Sequence, residues 1–273
     1  MIIVLPFLAA LVSLRFITAE ESCVIGYRCI DGSMIDVGCH PLIGYSSVSQ
    51  NGYSTCIPDR RGKNVFGNDD RVQVTSTDYP WSAIGYLNTG CTGTLVGRDL
   101  VLTAAHCVIN PNTQQLNNIN TFYPNRINGN AADSSPITYV WWGTTNPDTY
   151  RESDWAILRL SKPLGDRYGY LGFKTLDDSS MLASDGTLVG YSTNFQNAQT
   201  AGAHIGCRLT KKQSANFYLH NCDMGRGASG GSIFAWSDNT PYIYALNVAE
   251  YRNDGSVSLC TLNKNRFLGN PGK

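Results

Sequence analysis

The sequence predicts an all-β architecture, a sandwich or a barrel. Three observations carry that expectation. Short runs rich in β-branched and aromatic residues recur along the chain, and each is bounded by Gly, Pro, Asn or Asp. Fifteen Tyr and 27 Gly favour strands and turns over helices. No long stretch repeats apolar residues at helical spacing.

The runs follow one another from residue 71: RVQVT (71–75), SAIGYL (82–87), GTLVG (93–97), LVLTA (100–104), TYVWW (138–142) and WAILRL (155–160). TLVGYS (187–192), GSIFAW (231–236) and YIYALNV (242–248) complete the series. Many short strands at near-regular spacing suit a sandwich or barrel. One short helix is expected in the tail around NKNRFLGN.

The amino-terminal 63 residues read differently. MIIVLPFLAALVSL is an apolar run of 14 residues, short for a membrane span and suited to a signal-peptide core. Thr18 and Ala19 supply small residues for cleavage, so residues 1–19 are expected to be a signal and Glu20 the first residue after export. An uncleaved anchor is the alternative, because no basic residue precedes the apolar run and Arg15 comes late. Residues 20–63 hold Cys23, Cys29, Cys39 and Cys56 with little apolar periodicity, as in a segment that relies on disulfides. It ends in the basic stretch IPDRRGK, where Arg60, Arg61 and Lys63 offer sites to an activating protease. The segment is read as a removable propeptide or a permanent Cys-rich cap, and residues 64–273 as the main domain.

Composition narrows the function. Charged residues make up 15% of the chain and balance at 21 of each sign, which leaves no electrostatic footprint for nucleic acid or an anionic membrane. Nine cysteines suit an exported, extracellular protein in which disulfides persist. None forms a C-x-x-C pair, no His-Glu-x-x-His occurs, and no Gly-rich phosphate loop sits between strand and helix. No metal and no cofactor is therefore expected.

Three segments carry candidate chemistry: CTGTLVGRDLVLTAAHC (91–107), YRESDWAILRL (150–160) and NCDMGRGASGGSIF (221–234). A serine hydroxyl becomes a nucleophile only when a base takes its proton. A carboxylate must then hold the imidazole in the right tautomer, and fixed N–H groups must meet the oxyanion. His106 is the candidate base, Asp154 the carboxylate and Ser229 the nucleophile, in one of the known chain orders for this geometry. The N–H groups of Gly227 and Ser229 are the candidate oxyanion donors. Glycine at 227 lets the loop turn its N–H inward with no side chain in the way. Cys91 and Cys107 stand 16 residues apart, and a bridge between them would clamp the loop carrying His106. Cys207 and Cys222, 15 apart, flank the approach to Ser229 as a second candidate pair. Each segment alone has a plainer reading, as a packing histidine, a strand-end cap or a flexible loop. The order of the three and the matching cysteines favour catalysis of peptide hydrolysis on protein or peptide substrates. A protease-like fold without turnover, serving as a binding or scaffold protein, is the alternative.

TAAHC, SDWAIL and GASGGS resemble the histidine, aspartate and serine motifs of the chymotrypsin-like serine proteases, and more closely the glutamyl endopeptidase branch. NVFGNDDRVQVTSTDYPWSAIGYL (64–87) and LSKPLGDRYGYLGF (160–173) extend the similarity over most of residues 64–260. The resemblance implies two antiparallel six-stranded β-barrels with the active site between them. It also implies a zymogen whose mature chain starts near Asn64. Trypsin-like members place an Asp before the nucleophile; this chain has Ala228, as the glutamyl branch does not carry that Asp either. Glu-selective members resemble one another in a Thr before the nucleophile and a His in the following strand, where this chain has Met224 and Asn247. Asp223 stands six residues before Ser229, where trypsin-like members hold the Asp that selects basic side chains. Asp223, Met224 and Asn247 are thus the candidate substrate-binding residues. Cys260 has no evident partner and is expected to tether the propeptide.

Overall fold

The computed structural model describes residues 65–249, together with the backbone of 45–47, 63–64, 250 and 257–261. The expected signal at 1–19, Cys23, Cys29, Cys39, Cys56, Arg60, Arg61, the Cys260 side chain and the expected tail helix lie outside the described residues. Those described are mostly β. In chain order the strands are β1 (Tyr45–Ser47), β2 (Lys63–Asn64), β3 (Val72–Gln73), β4 (Ile84–Leu87), β5 (Thr92–Leu95) and β6 (Leu100–Thr103). They continue with β7 (Thr121–Pro124), β8 (Ser135–Trp142), β9 (Ala156–Leu160), β10 (Gly172–Phe173), β11 (Asp185–Gly190) and β12 (Gly202–Ser214). The last are β13 (Phe217–His220), β14 (Met224–Gly225), β15 (Ser232–Ser237), β16 (Thr240–Glu250) and β17 (Val257–Thr261).

The first sheet runs β8-β7-β4-β5-β6-β9, and a further pairing of β8 with β9 closes it into a six-stranded barrel. β1 adds to the outside edge of β8. Period-two alternation drives the closure: Ala156, Leu158 and Leu160 of β9 point inward while Ile157 and Arg159 are only partly covered. Leu87, Leu95, Val101, Leu102, Phe122, Val140 and Leu158 are fully buried in the resulting core. Each large apolar side chain buried in this way contributes about 1.5–3 kcal/mol against the unfolded chain.

The second sheet runs β10-β16-β15-β11-β12-β13-β17, with β3 on β12 and a further pairing of β16 with β17. β12, at 13 residues, and β13 were not among the strands expected from the sequence. Two short α-helices, Gly165–Tyr168 and Asp178–Ala183, were also not expected. The second starts at Asp177, whose carboxylate accepts the Ser180 N–H at 2.8 Å as an N-cap. A separate two-stranded pairing joins β2 to β14, so the start of the main domain lies against the approach to Ser229.

Candidate active site

The first barrel sets His106 beside Asp154. β6 and β9 pair antiparallel, with Thr103 opposite Ala156. Carrying that register past the end of β6 and back from the start of β9 brings the two side chains together. Each sits on or at the end of a single 3-10 turn, Ala105–Cys107 and Arg151–Ser153. The Asp154 carboxylate accepts twice from one residue: the His106 backbone N–H at 2.9 Å and its ring Nδ1 at 2.8 Å. The first bond fixes where the histidine backbone lies, and the second fixes the ring. Nδ1 carries the proton that Asp154 accepts, so in the neutral ring Nε2 is left as the base.

Burial divides the labour. The Asp154 side chain is 3% exposed and the His106 side chain 28% exposed. Partial burial acts to lower the affinity of the ring for a proton. The Asp154 charge and hydrogen bond, with a further contribution from the Asp148 charge, outweigh it, and the ring titrates above its ordinary value of 6.5.

The loop carrying Ser229 crosses from the second sheet onto this first barrel. Cys91 and Cys107 form a disulfide, with Cα atoms 6.0 Å apart, as the spacing led one to expect. A loop of that size stabilises by about 3 kcal/mol in the chain-entropy account. The Sγ of Cys107 lies 3.7 Å from the Ser229 carbonyl, so the neighbour of His106 touches the backbone of Ser229. The Thr92 N–H donates to the same carbonyl at 2.9 Å. Cys207 and Cys222 form the second expected disulfide, joining β12 to the segment just after β13.

Each peptide unit of the loop is held from its carbonyl side. The Arg226 carbonyl accepts the Thr193 N–H at 2.8 Å. The Gly227 carbonyl accepts the Thr92 hydroxyl at 2.8 Å. The Ala228 carbonyl accepts the Asn247 side-chain amide and the Gly231 N–H, both at 2.9 Å. The N–H groups of Gly227 and Ser229 have no backbone carbonyl partner among the described residues. Gly227 has φ +101°, and a Cβ there would lie 2.3 Å from the Tyr191 carbonyl oxygen. Gly230, at φ +79°, would place a Cβ 2.2 Å from the Thr103 hydroxyl. Both positions therefore require glycine.

The three candidate substrate-binding residues are all buried: Asp223 and Met224 are 2% exposed and Asn247 0%. Both Asp223 oxygens are occupied, one by the Phe66 N–H and the other by the Asp70 N–H, each at 2.8 Å. The Asp223 carboxylate ties the Phe66–Asp70 segment to β14, and an incoming cation would share its oxygens with two N–H donors. Asn247 spends its amide on the Ala228 carbonyl and its Oδ1 on His220, at 3.2 Å. Met224 packs in an apolar cluster with Leu188, Tyr218 and Ala228. Ala228 itself is 1% exposed and faces Gly190.

Sequence reasoning missed Thr92, Thr193 and His220. A threonine in a strand reads as a β-former, and nothing local marks Thr92 except its place next to Cys91. Two groupings of metal-ligating types occur among the described residues. Cys91, His106 and Cys107 include a disulfide, which has no thiolate to offer. In Asp70, His204 and Asp223, the Asp223 oxygens already accept N–H bonds and His204 Nδ1 accepts the Asp223 N–H at 2.8 Å.

Residues 69–252 match the family model described as Trypsin. A glutamyl endopeptidase of Bacillus licheniformis is 28% identical over 186 residues, 65% of this chain and 56% of that protein. Serine protease 23 of Rattus norvegicus is 25% identical over 203 residues, 64% of this chain and 51% of that protein. The chain thus spans about half the length of the curated relatives it matches. A solved structure of a Glu endopeptidase in complex with MPD superposes with a TM-score of 0.65 at 21% identity, covering 72% of this chain and 93% of that one. At that identity the likeness speaks for a shared chymotrypsin-like fold. The family model covers two thirds of the sequence, and with the fold it places the protein: this chain belongs to the trypsin family of chymotrypsin-like serine proteases.

Proposed function

We propose that the chain is a secreted serine endopeptidase that cuts peptide bonds through an acyl-enzyme on Ser229. The observation that carries the reading is the double hydrogen bond from His106 to the buried Asp154, on a barrel whose Cys91–Cys107 disulfide holds the His106 turn and whose Thr92 bonds the Ser229 loop twice. His106 Nε2 takes the Ser229 proton as the hydroxyl attacks the scissile carbonyl, and later returns it to the leaving amine. Asp154 stabilises the imidazolium that forms between the two steps. The N–H groups of Gly227 and Ser229 receive the oxyanion.

The second sheet is read as the second barrel of the fold; the pairing of β17 with both β13 and β16 supports this. Export on a signal at 1–19, release of 20–63 by an activating protease near Arg60 to Lys63, and a mature start near Asn64 belong to the same proposal. Among the described residues no helix is long and apolar enough to cross a membrane. Glu selectivity, which the name of the Bacillus licheniformis relative carries, is not part of the reading. Met224 and Asn247 are buried and offer no cation to a substrate carboxylate.

A fluorophosphonate probe tests the proposal. The processed chain is expected to be labelled, and Ser229→Ala to remain unlabelled. Correctly processed wild-type protein that resists the probe would favour a fold retained for binding.

A further inference from the structure

Asn247 makes four hydrogen bonds to the loop and its support. Its backbone N–H donates to the Gly231 carbonyl at 2.9 Å, and its carbonyl accepts the Gly230 N–H at 2.8 Å. Its side chain bonds the Ala228 carbonyl on one side and His220 on the other. The orientation of this side chain is fixed from both ends. The Ala228 carbonyl can only accept, so the group facing it is the amide Nδ2. Oδ1 therefore faces His220 and needs a donor. At the far side of the imidazole, Nδ1 accepts the Cys222 N–H at 3.0 Å. His220 must then carry its proton on Nε2, which is the donor that Asn247 Oδ1 requires. A run of donors thus leads from the Cys222 N–H through His220 and Asn247 to the Ala228 carbonyl, with one tautomer satisfying every contact.

The imidazole is suited to this duty. His220 is 1% exposed. Burial drives it down to about 3, the Asn247 bond only partly opposing this, so it stays neutral through any ordinary working range.

The consequence falls on Ser229. In a trans peptide the carbonyl and the following N–H point in opposite directions. Among the described residues the only cis bond is Tyr79–Pro80, so Ala228–Ser229 is trans. Ala228 brings no polar side chain of its own to steady the loop. Two donors, Asn247 Nδ2 and the Gly231 N–H, hold its carbonyl and thereby set the direction of the Ser229 N–H.

We propose that Asn247, oriented by His220, is a positioning residue that locks the Ala228–Ser229 peptide plane and aims the Ser229 N–H at the developing oxyanion. This rests on the endopeptidase reading above. It also moves Asn247 from specificity to catalytic alignment.

The test compares Asn247→Leu, His220→Leu and the double variant, each corrected for folded protein by near-UV circular dichroism. Asn247→Leu is expected to lower kcat about 10²-fold with KM within about twofold, since losing one oxyanion donor costs about 10²–10³ in kcat. His220→Leu is expected to lower kcat about 10-fold, and the double variant to be no slower than Asn247→Leu, because the two act in series. Inhibition by a peptide aldehyde, whose adduct places an oxygen in the oxyanion site, should weaken in step with kcat, whereas binding of the cleaved product peptide should not change. Unchanged kcat in folded Asn247→Leu, or additive effects in the double variant, would overturn the proposal. Nitrogen-15 NMR of the wild-type imidazoles supplies a check that needs no variant to fold. His220 protonated on Nδ1 would break the relay outright. A wild-type chain that hydrolyses nothing would instead defeat the endopeptidase reading, and the His220 tautomer would still decide the relay.

Discussion

Removing one hydroxyl at Thr92 should loosen the Ser229 loop without touching any of the three candidate triad residues. Thr92 is fully buried at the start of β5. Its Oγ1 donates to the Gly227 carbonyl at 2.8 Å and accepts the Tyr191 N–H at 2.9 Å. Thr92→Val keeps the shape and deletes both bonds, leaving a buried carbonyl and a buried N–H without that partner. Each such group costs about 1–3 kcal/mol, so the pair amounts to about 2–6 kcal/mol. Against a usual total of about 5–15 kcal/mol that is a large share. The loop can recover part of it by turning the Gly227 carbonyl towards water, but the same turn rotates the neighbouring N–H groups. Stability and turnover should therefore fall together: a lower urea midpoint with unchanged slope, and kcat reduced about 10-fold or more. Thr92→Ser keeps the hydroxyl and should lose no more than about 1.5 kcal/mol for the missing methyl. The clamp would be refuted by a Thr92→Val protein that unfolds at the wild-type urea concentration and turns over at the wild-type rate.

Two further outcomes follow from the site. The acid limb of kcat/KM should have its midpoint above 6.5, because the Asp154 and Asp148 charges raise His106 and catalysis needs the neutral ring. The matching stability contribution has the opposite dependence: it is complete below the unfolded value and is lost as pH rises through the raised folded value. A midpoint below 6.5 would show that burial dominates the ring instead. Asp223→Asn should place an amide donor against the Phe66 or Asp70 N–H, and speed hydrogen exchange at those amides at least 10-fold. The ratio of kcat/KM for Arg against Ala before the cleaved bond should stay within about twofold. A collapse of that ratio would return Asp223 to the substrate pocket.

The strands legible in the sequence are those whose side chains face a core. Leu100–Thr103 and Ala156–Leu160 are apolar or alternate cleanly, and they read correctly. β12 escaped because its second half, Lys211–Ser214, is exposed, and because two register shifts against β13 break its period. β7 is short and ends in Pro124, which reads as a break. The Asp177 cap shows that the helix it starts was signalled locally, although six residues give too little periodicity to see.

The pairing of His106 with Asp154 was legible because each lies in a run of small or apolar residues whose order is informative. What steadies them was not. Thr92 and Gly227 are 135 residues apart in the chain, and the Thr92 hydroxyl meets a backbone carbonyl, a group every residue carries. The same holds for Asp223, whose partners are backbone N–H groups. Counting residues back from Ser229 finds Asp223 but cannot tell that each of its oxygens accepts a backbone N–H.

The acyl-enzyme is the most direct test of the central claim. The processed chain is mixed with an activated ester under single-turnover conditions and quenched in acid, and the adduct is located by mass spectrometry of its peptides. The account predicts a burst approaching one equivalent per chain, with the acyl group on Ser229, and no burst in Ser229→Ala. Hydrolysis without a burst or adduct, or an adduct on any residue other than Ser229, would contradict it.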